Sequence, residues 1–167
     1  MLGSPRVEEA FVAADEERMA VEREVRIDAP PEAVFKFFVD PDEMVRWKGI
    51  EATLDPRPGG MYRVNVTGTE VARGEYVEVS PNERVVFTWG WEGEGNPVPP
   101  GSSTVEITLV PDGAATIVRL RHHGLPGGPE DRHAQGWEHY LARLAIAGGG
   151  GDAGPDPWMQ SAGDPTM

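Results

Sequence analysis

No cysteine occurs anywhere in the 167 residues, which excludes structural disulfides, thiolate zinc sites and a cysteine nucleophile together. Positive charge is also scarce: 15 Lys and Arg stand against 28 Asp and Glu, for a formal charge of −13. Phosphate binding needs a basic patch that releases counterions, so nucleic acid is not an expected partner. The same acidity repels anionic membranes. No apolar run approaches the roughly 18 residues of a membrane span. Glu8, Glu9, Asp15, Glu16 and Glu17 crowd the N-terminus, where a secretion signal is basic and then apolar. A cytoplasmic location is the expectation. Also missing are a Gly-x-Ser-x-Gly elbow, a Gly-Lys-Ser or Gly-Lys-Thr phosphate loop, and a dinucleotide glycine fingerprint after a strand. The motifs therefore support neither catalysis nor a cofactor.

What is present is the balance of an ordinary packed domain, with 39% hydrophobic and 26% charged residues. The length suits one domain with loose ends. Residues 1–19 mix Ala and Glu without a sustained period and read as a flexible leader. Residues 148–167 open on a glycine run and continue in Gly, Pro, Ala and Asp, the composition of a disordered tail in which Trp158 is an isolated aromatic. The folded unit is expected over 20–147.

Inside that unit, Val21, Arg23, Val25 and Ile27 alternate with charged residues, the period of a half-buried strand. Asp28-Ala29-Pro30-Pro31 ends it and starts a helix carrying Val34, Phe35, Phe37 and Phe38, because Pro is tolerated in a first helical turn. Asp40-Pro41 breaks that helix, and Asp42 to Trp47 forms a second short one. Strands are then predicted near 50–55, 60–67, 70–79, 84–92, 103–110 and 115–123, with turn signals such as Pro58-Gly59-Gly60 and Ser80-Pro81-Asn82-Glu83 between them. Short connections make neighbours antiparallel. From Pro129 to Ala147, Ala134, Trp137, Leu141, Leu144 and Ala145 recur at helical spacing. The prediction is an α+β fold in which a curled seven-stranded antiparallel sheet wraps one long C-terminal helix, leaving room for a cavity.

The segments Ile27 to Phe35, Asp40-Pro41 leading to Trp47, Pro58 to Arg63, Gly74-Glu75-Tyr76, Pro81 to Trp89, and Gly136-Trp137 with Leu141 and Leu144 resemble the START-like, or SRPBCC, superfamily. The branch is similar to the C-terminal domain of the heat-shock chaperone ATPase activator. This resemblance spans residues 20 to 147 and implies the helix-grip fold. It implies several function classes as well: carriers of apolar ligands, aromatic polyketide cyclases, and chaperone co-factors or stress-response proteins. Fold alone does not choose among them.

The residues favour a binding protein for a small hydrophobic or aromatic molecule, as monomer or homodimer, over a cyclase- or hydrolase-like enzyme or a chaperone partner. Trp47, Phe87, Trp89, Trp137 and Tyr140 supply apolar area with polar handles, Met61 an adaptable wall, and Leu120 and Leu141 apolar lining. Thr116, Val118, Leu120 and His122 share one strand face, so His122 is the expected hydrogen-bond partner and a weak acid-base candidate. Arg23 and Glu75 fall on faces that carry apolar residues and would be polar anchors if both point inward, whereas strand twist or a bulge would bring one or both to solvent. The four histidines do not converge: His122 and His123 point to opposite faces, and His133 and His139 diverge on the helix, so no metal site is predicted. The run from Trp89 to Gly101 is read as a lid, with Gly124 to Gly128 completing its rim.

Overall fold

The computed structural model describes residues 20–125 and 132–158. Its elements in order are β1 (Val21–Ile27), α1 (Pro31–Val39), α2 (Pro41–Met44), β2 (Glu51–Leu54), β3 (Met61–Asn65), β4 (Val71–Ser80), β5 (Arg84–Trp89), β6 (Ser103–Asp112), β7 (Ala115–His123) and α3 (Arg132–Gly148). The strands form one sheet in the order β1-β7-β6-β5-β4-β3-β2, antiparallel throughout. The helices pack on its inner face, α3 lying against β1 and α1. No described helix is long and apolar enough to cross a membrane.

Local chemistry sets these bounds. Pro30 caps α1 and Pro31 fills its first turn, while Val34, Phe37 and Phe38 face the core. Asp40 ends α1 and caps α2, its carboxylate accepting the Asp42 N–H at 2.9 Å. The chain then turns at Gly49, whose φ of +88° favours glycine and where a Cβ would lie 2.5 Å from the Asn65 carbonyl oxygen. That close approach lays Lys48 against the inner face of the sheet.

Strand parity agrees with the pattern on β7: Thr116, Val118, Leu120 and His122 are buried, and His123 turns outward to Glu106 at 2.8 Å. On β4 it does not. Ala72 and Tyr76 are the inward residues, and a bulge between Tyr76 and Glu78 shifts the register beyond them. Glu75 is therefore an outward residue, and its pairing partner on β3, Met61, is 39% exposed. Arg23 does share the Val21 and Ile27 face, but it reaches the rim and pairs with Glu138 of α3 at 2.8 Å. Arg23 and Glu75 thus form no internal pair, in keeping with the reading that twist or a bulge brings them to solvent, while the expected Met61 wall is corrected: Met61 stands on the outer face.

Residues 1–19, 126–131 and 159–167 lie outside the description, and with them the expected leader, part of the Gly124–Gly128 rim and the end of the tail. Residues 149–158 differ from the free tail their composition suggests. They run back along α3, held by Arg143, whose guanidinium donates to the Gly154 carbonyl at 2.8 Å and to the Trp47 carbonyl at 3.1 Å. Asp156 is buried there.

Candidate functional site

Most of the inner face is filled by its own side chains. Phe87 stacks on Tyr62 with ring centroids 4.1 Å apart, Tyr76 donates to the Phe38 carbonyl at 2.8 Å, and Trp47 donates to the Phe37 carbonyl at 3.0 Å. Leu120 and Leu141 are buried in the same continuous core. These residues hold helices to sheet. Space remains at one end of α3, where a cavity of about 230 Å³ is lined by Trp89, Trp91, Trp137, Tyr140 and Trp158, with Lys48, Thr67, Glu70 and Gly136 among the rest. Of the nine residues expected to bind a ligand, Trp89, Trp137 and Tyr140 line it. Trp47, Phe87, Leu120, His122 and Leu141 lie in the surrounding core, and Met61 is on the outer face.

The walls are fixed by hydrogen bonds and ring contacts, most of them to residues behind the cavity. The Trp137 indole N–H donates to His122 Nδ1 at 2.9 Å. A ring nitrogen that accepts carries no proton, so the neutral imidazole holds its hydrogen on Nε2 and donates it to Ser103 Oγ, 2.8 Å away. Ser103 Oγ passes its own hydrogen to the Trp89 carbonyl at 2.7 Å. Burial, then the neighbouring His133, Lys48 and His123, hold His122 well below its ordinary pKa. With both nitrogens engaged and the ring fully buried, His122 positions two cavity walls and has no lone pair left for a substrate proton.

Trp91 donates to His133 Nε2 at 3.1 Å, and its ring meets that of Trp89 edge-on at 4.6 Å. The loop beyond β5 folds over here: the Trp91 N–H bonds the Val98 carbonyl at 2.7 Å and Val98 is buried. Gly90 permits this, because any Cβ at that position would collide with the Pro99 carbonyl. The segment expected as a lid thus contributes a packed wall. Tyr140 donates to Asp156 Oδ2 at 2.6 Å, His139 meets Oδ1 at 2.8 Å, and the Trp158 backbone N–H reaches Oδ1 at 2.9 Å. Burial works against the Asp156 charge, yet these hydrogen bonds hold its pKa below the usual carboxylate value. Trp158 lies flat on His139, centroids 4.1 Å apart and planes 4° from parallel, and so closes the cavity from the tail side.

Besides Trp91 and Trp158, two further features were not read from the sequence. Lys48 is only 3% exposed and lies in the cavity wall, its ammonium 4.1 Å from the Trp137 ring and 5.8 to 6.0 Å from those of Trp89, Trp47 and Tyr140. Burial pushes its pKa down to about 7. Gly136 is the second: on α3 it replaces a side chain with space, and an added Cβ would touch only Trp158, at 3.9 Å.

The family model described as Activator of Hsp90 ATPase homolog 1-like protein matches residues 28–148. The human protein named Activator of 90 kDa heat shock protein ATPase homolog 1 is 25% identical over 112 residues, which are 66% of this chain. The match covers 31% of that relative, so the chain spans only a part of the curated proteins it is similar to. A solved AHSA1-like protein from Rhizobium etli shares 48% identity and a TM-score of 0.65, over 83% of this chain and 86% of that one. DynU16, from the dynemicin biosynthetic locus, shares 25% identity and a TM-score of 0.69, over 83% of this chain and 50% of that one.

Proposed function

The chain belongs to the Activator of Hsp90 ATPase homolog 1-like family, and from that premise we propose that it binds a small aromatic molecule in the cavity between the sheet and α3, without catalysis of its own. The observation that carries the reading is the clustering of four of the five tryptophans, Trp89, Trp91, Trp137 and Trp158, with Tyr140 around one space between the sheet and α3. Aromatic walls offer large apolar area in fixed orientation, as ligand pockets commonly do. Burying about 200 Å² of apolar ligand surface contributes roughly 5 kcal/mol before the losses of freedom on binding. That gross figure caps the affinity for a plain aromatic ring at on the order of 0.2 mM, and the losses weaken it from there. The origin of DynU16 in a biosynthetic locus is in keeping with a small-molecule ligand.

Gly136 provides the test. A Gly136→Met side chain fills the cavity from the helix side while improving helix propensity by about 1 kcal/mol. A fold that survives this change and loses aromatic binding supports the proposal; undiminished binding places the ligand elsewhere. A second reading, partnership with a heat-shock ATPase, rests on the names of the curated relatives. It has a separate readout, stimulation of the chaperone's ATP hydrolysis, which the cavity-filling variant leaves unchanged.

A further inference from the structure

The cavity's polar groups are unequally committed. Trp91, Trp137 and Tyr140 spend their donors on His133, His122 and Asp156. Two donors do not: one buried indole N–H, and the Lys48 ammonium in the cavity wall. The Trp89 indole N–H is, among the described residues, the one buried side-chain polar atom without a hydrogen-bond partner. Lys48 has no carboxylate within ion-pair distance among the described residues, and its ammonium is held by ring faces alone. A buried charge without a counter-charge is costly, and so is an unmet N–H. Natural proteins keep such groups where something else completes them.

From this arrangement we propose that the ligand is an aromatic anion, of the arene carboxylate or phenolate class, whose charged oxygen takes Lys48 as its counter-ion and the Trp89 N–H as a second donor. This rests on the reading of the cavity as a ligand site and adds its charge. The aromatic cage in itself also suits a quaternary ammonium ion. Lys48 decides against that ligand: a quaternary ammonium ion either meets the charged amine's repulsion at low dielectric or forces it to give up its proton, and it accepts no hydrogen bond from either donor. The chain's overall charge of −13 sets Lys48 apart further: a local positive group in an acidic molecule selects anions at short range while the surface does not collect them.

The probes are matched pairs, benzoate with benzamide and naphthoate with naphthamide, titrated by calorimetry into the whole chain and into Lys48→Met. The expected result is at least tenfold tighter binding of each carboxylate by the unmodified chain, and equal, weak binding of both members by Lys48→Met. At pH 8, with Lys48 titrating near 7, carboxylate binding draws a proton onto the amine, so heats in buffers of different ionisation enthalpy report uptake approaching one proton. The other ionisable groups facing the site are His122 on β7, His133 and Tyr140 on α3, Asp156 behind Tyr140, and Glu70 before β4. Uptake that persists in Lys48→Met therefore comes from one of those and overturns the assignment. Equal binding of amide and carboxylate by the unmodified chain overturns the anion and leaves the cavity reading standing. No binding of any pair member overturns both.

Discussion

The indole N–H of Trp137 points at Nδ1 of His122 from 2.9 Å, and this one bond fixes the tautomer of a fully buried imidazole and ties α3 to β7. His122 then stays neutral in the folded chain across the range where a free histidine titrates. The sign of the pH effect follows. Below pH 6.5 the unfolded chain takes up a proton that the folded one refuses, so stability falls as pH drops from 6.5 towards the lower folded-state pKa. Urea midpoints measured from pH 7.5 to 5 should decline, and His122→Gln should remove that part of the slope. Nitrogen shifts of His122 should keep the Nε2–H pattern throughout. A ring that titrates near 6.5 in the folded chain would contradict the geometry.

Lys48 carries the opposite kind of cost. Its pKa of about 7 lies below the ordinary 10.5, so at neutral pH and below the folded state holds a charge it would shed more readily than the unfolded chain. Between 7 and 10.5 the unfolded chain keeps the proton the folded one releases, and stability rises with pH. Lys48→Met should therefore stabilise the free protein at pH 7 by on the order of a few kcal/mol, with the gain shrinking as pH approaches 10.5. Denaturant unfolding at pH 7 and 10 reads both parts. A variant less stable than its parent at pH 7 would mean the aromatic faces more than offset the burial cost.

Asp156 joins the tail to the domain through Tyr140, His139 and the Trp158 N–H. Asp156→Ala removes all three bonds and should release residues 152–158, with a loss of about 1–3 kcal/mol. Hydrogen exchange should rise in that segment and remain slow in the sheet. Because Trp158 closes one side of the cavity, aromatic affinity should fall as well. Unchanged protection at 152–158 would show that the Arg143 contacts suffice.

How much of this was legible in the sequence follows from the kind of signal each part emits. Alternation on β1 and β7 is a two-residue period, and it placed Val21, Ile27, Leu120 and His122 inward without error. On β4 the rule grouped Glu75 with Val71, Val77 and Val79 and left its face open; Val77 is exposed on the outer side, and the bulge between Tyr76 and Glu78 parts Val79 from that face. Met61 faces Glu75 in register and so stands on the same outer side, which its adaptable character alone did not reveal. Trp89, Trp137 and Tyr140 were found through their aromatic character. Trp158 was missed, since a Gly- and Pro-rich stretch gives no hint that Asp156 will be buried under Tyr140. Lys48 was invisible for a statistical reason: lysine is almost never fully buried, so nothing short of the three-dimensional path past Gly49 directs it inward.

The most direct test of the ligand cavity is a nitrogen–proton NMR titration of the tryptophan indoles with a panel of small arenes, anionic and neutral. The prediction is saturable shifts at Trp89, Trp91, Trp137 and Trp158, with Trp47 nearly still because its N–H is spent on the Phe37 carbonyl outside the cavity, and loss of all shifts in Gly136→Met. Silence across the panel, or shifts at Trp47 equal to the rest, would contradict a ligand bound among those rings.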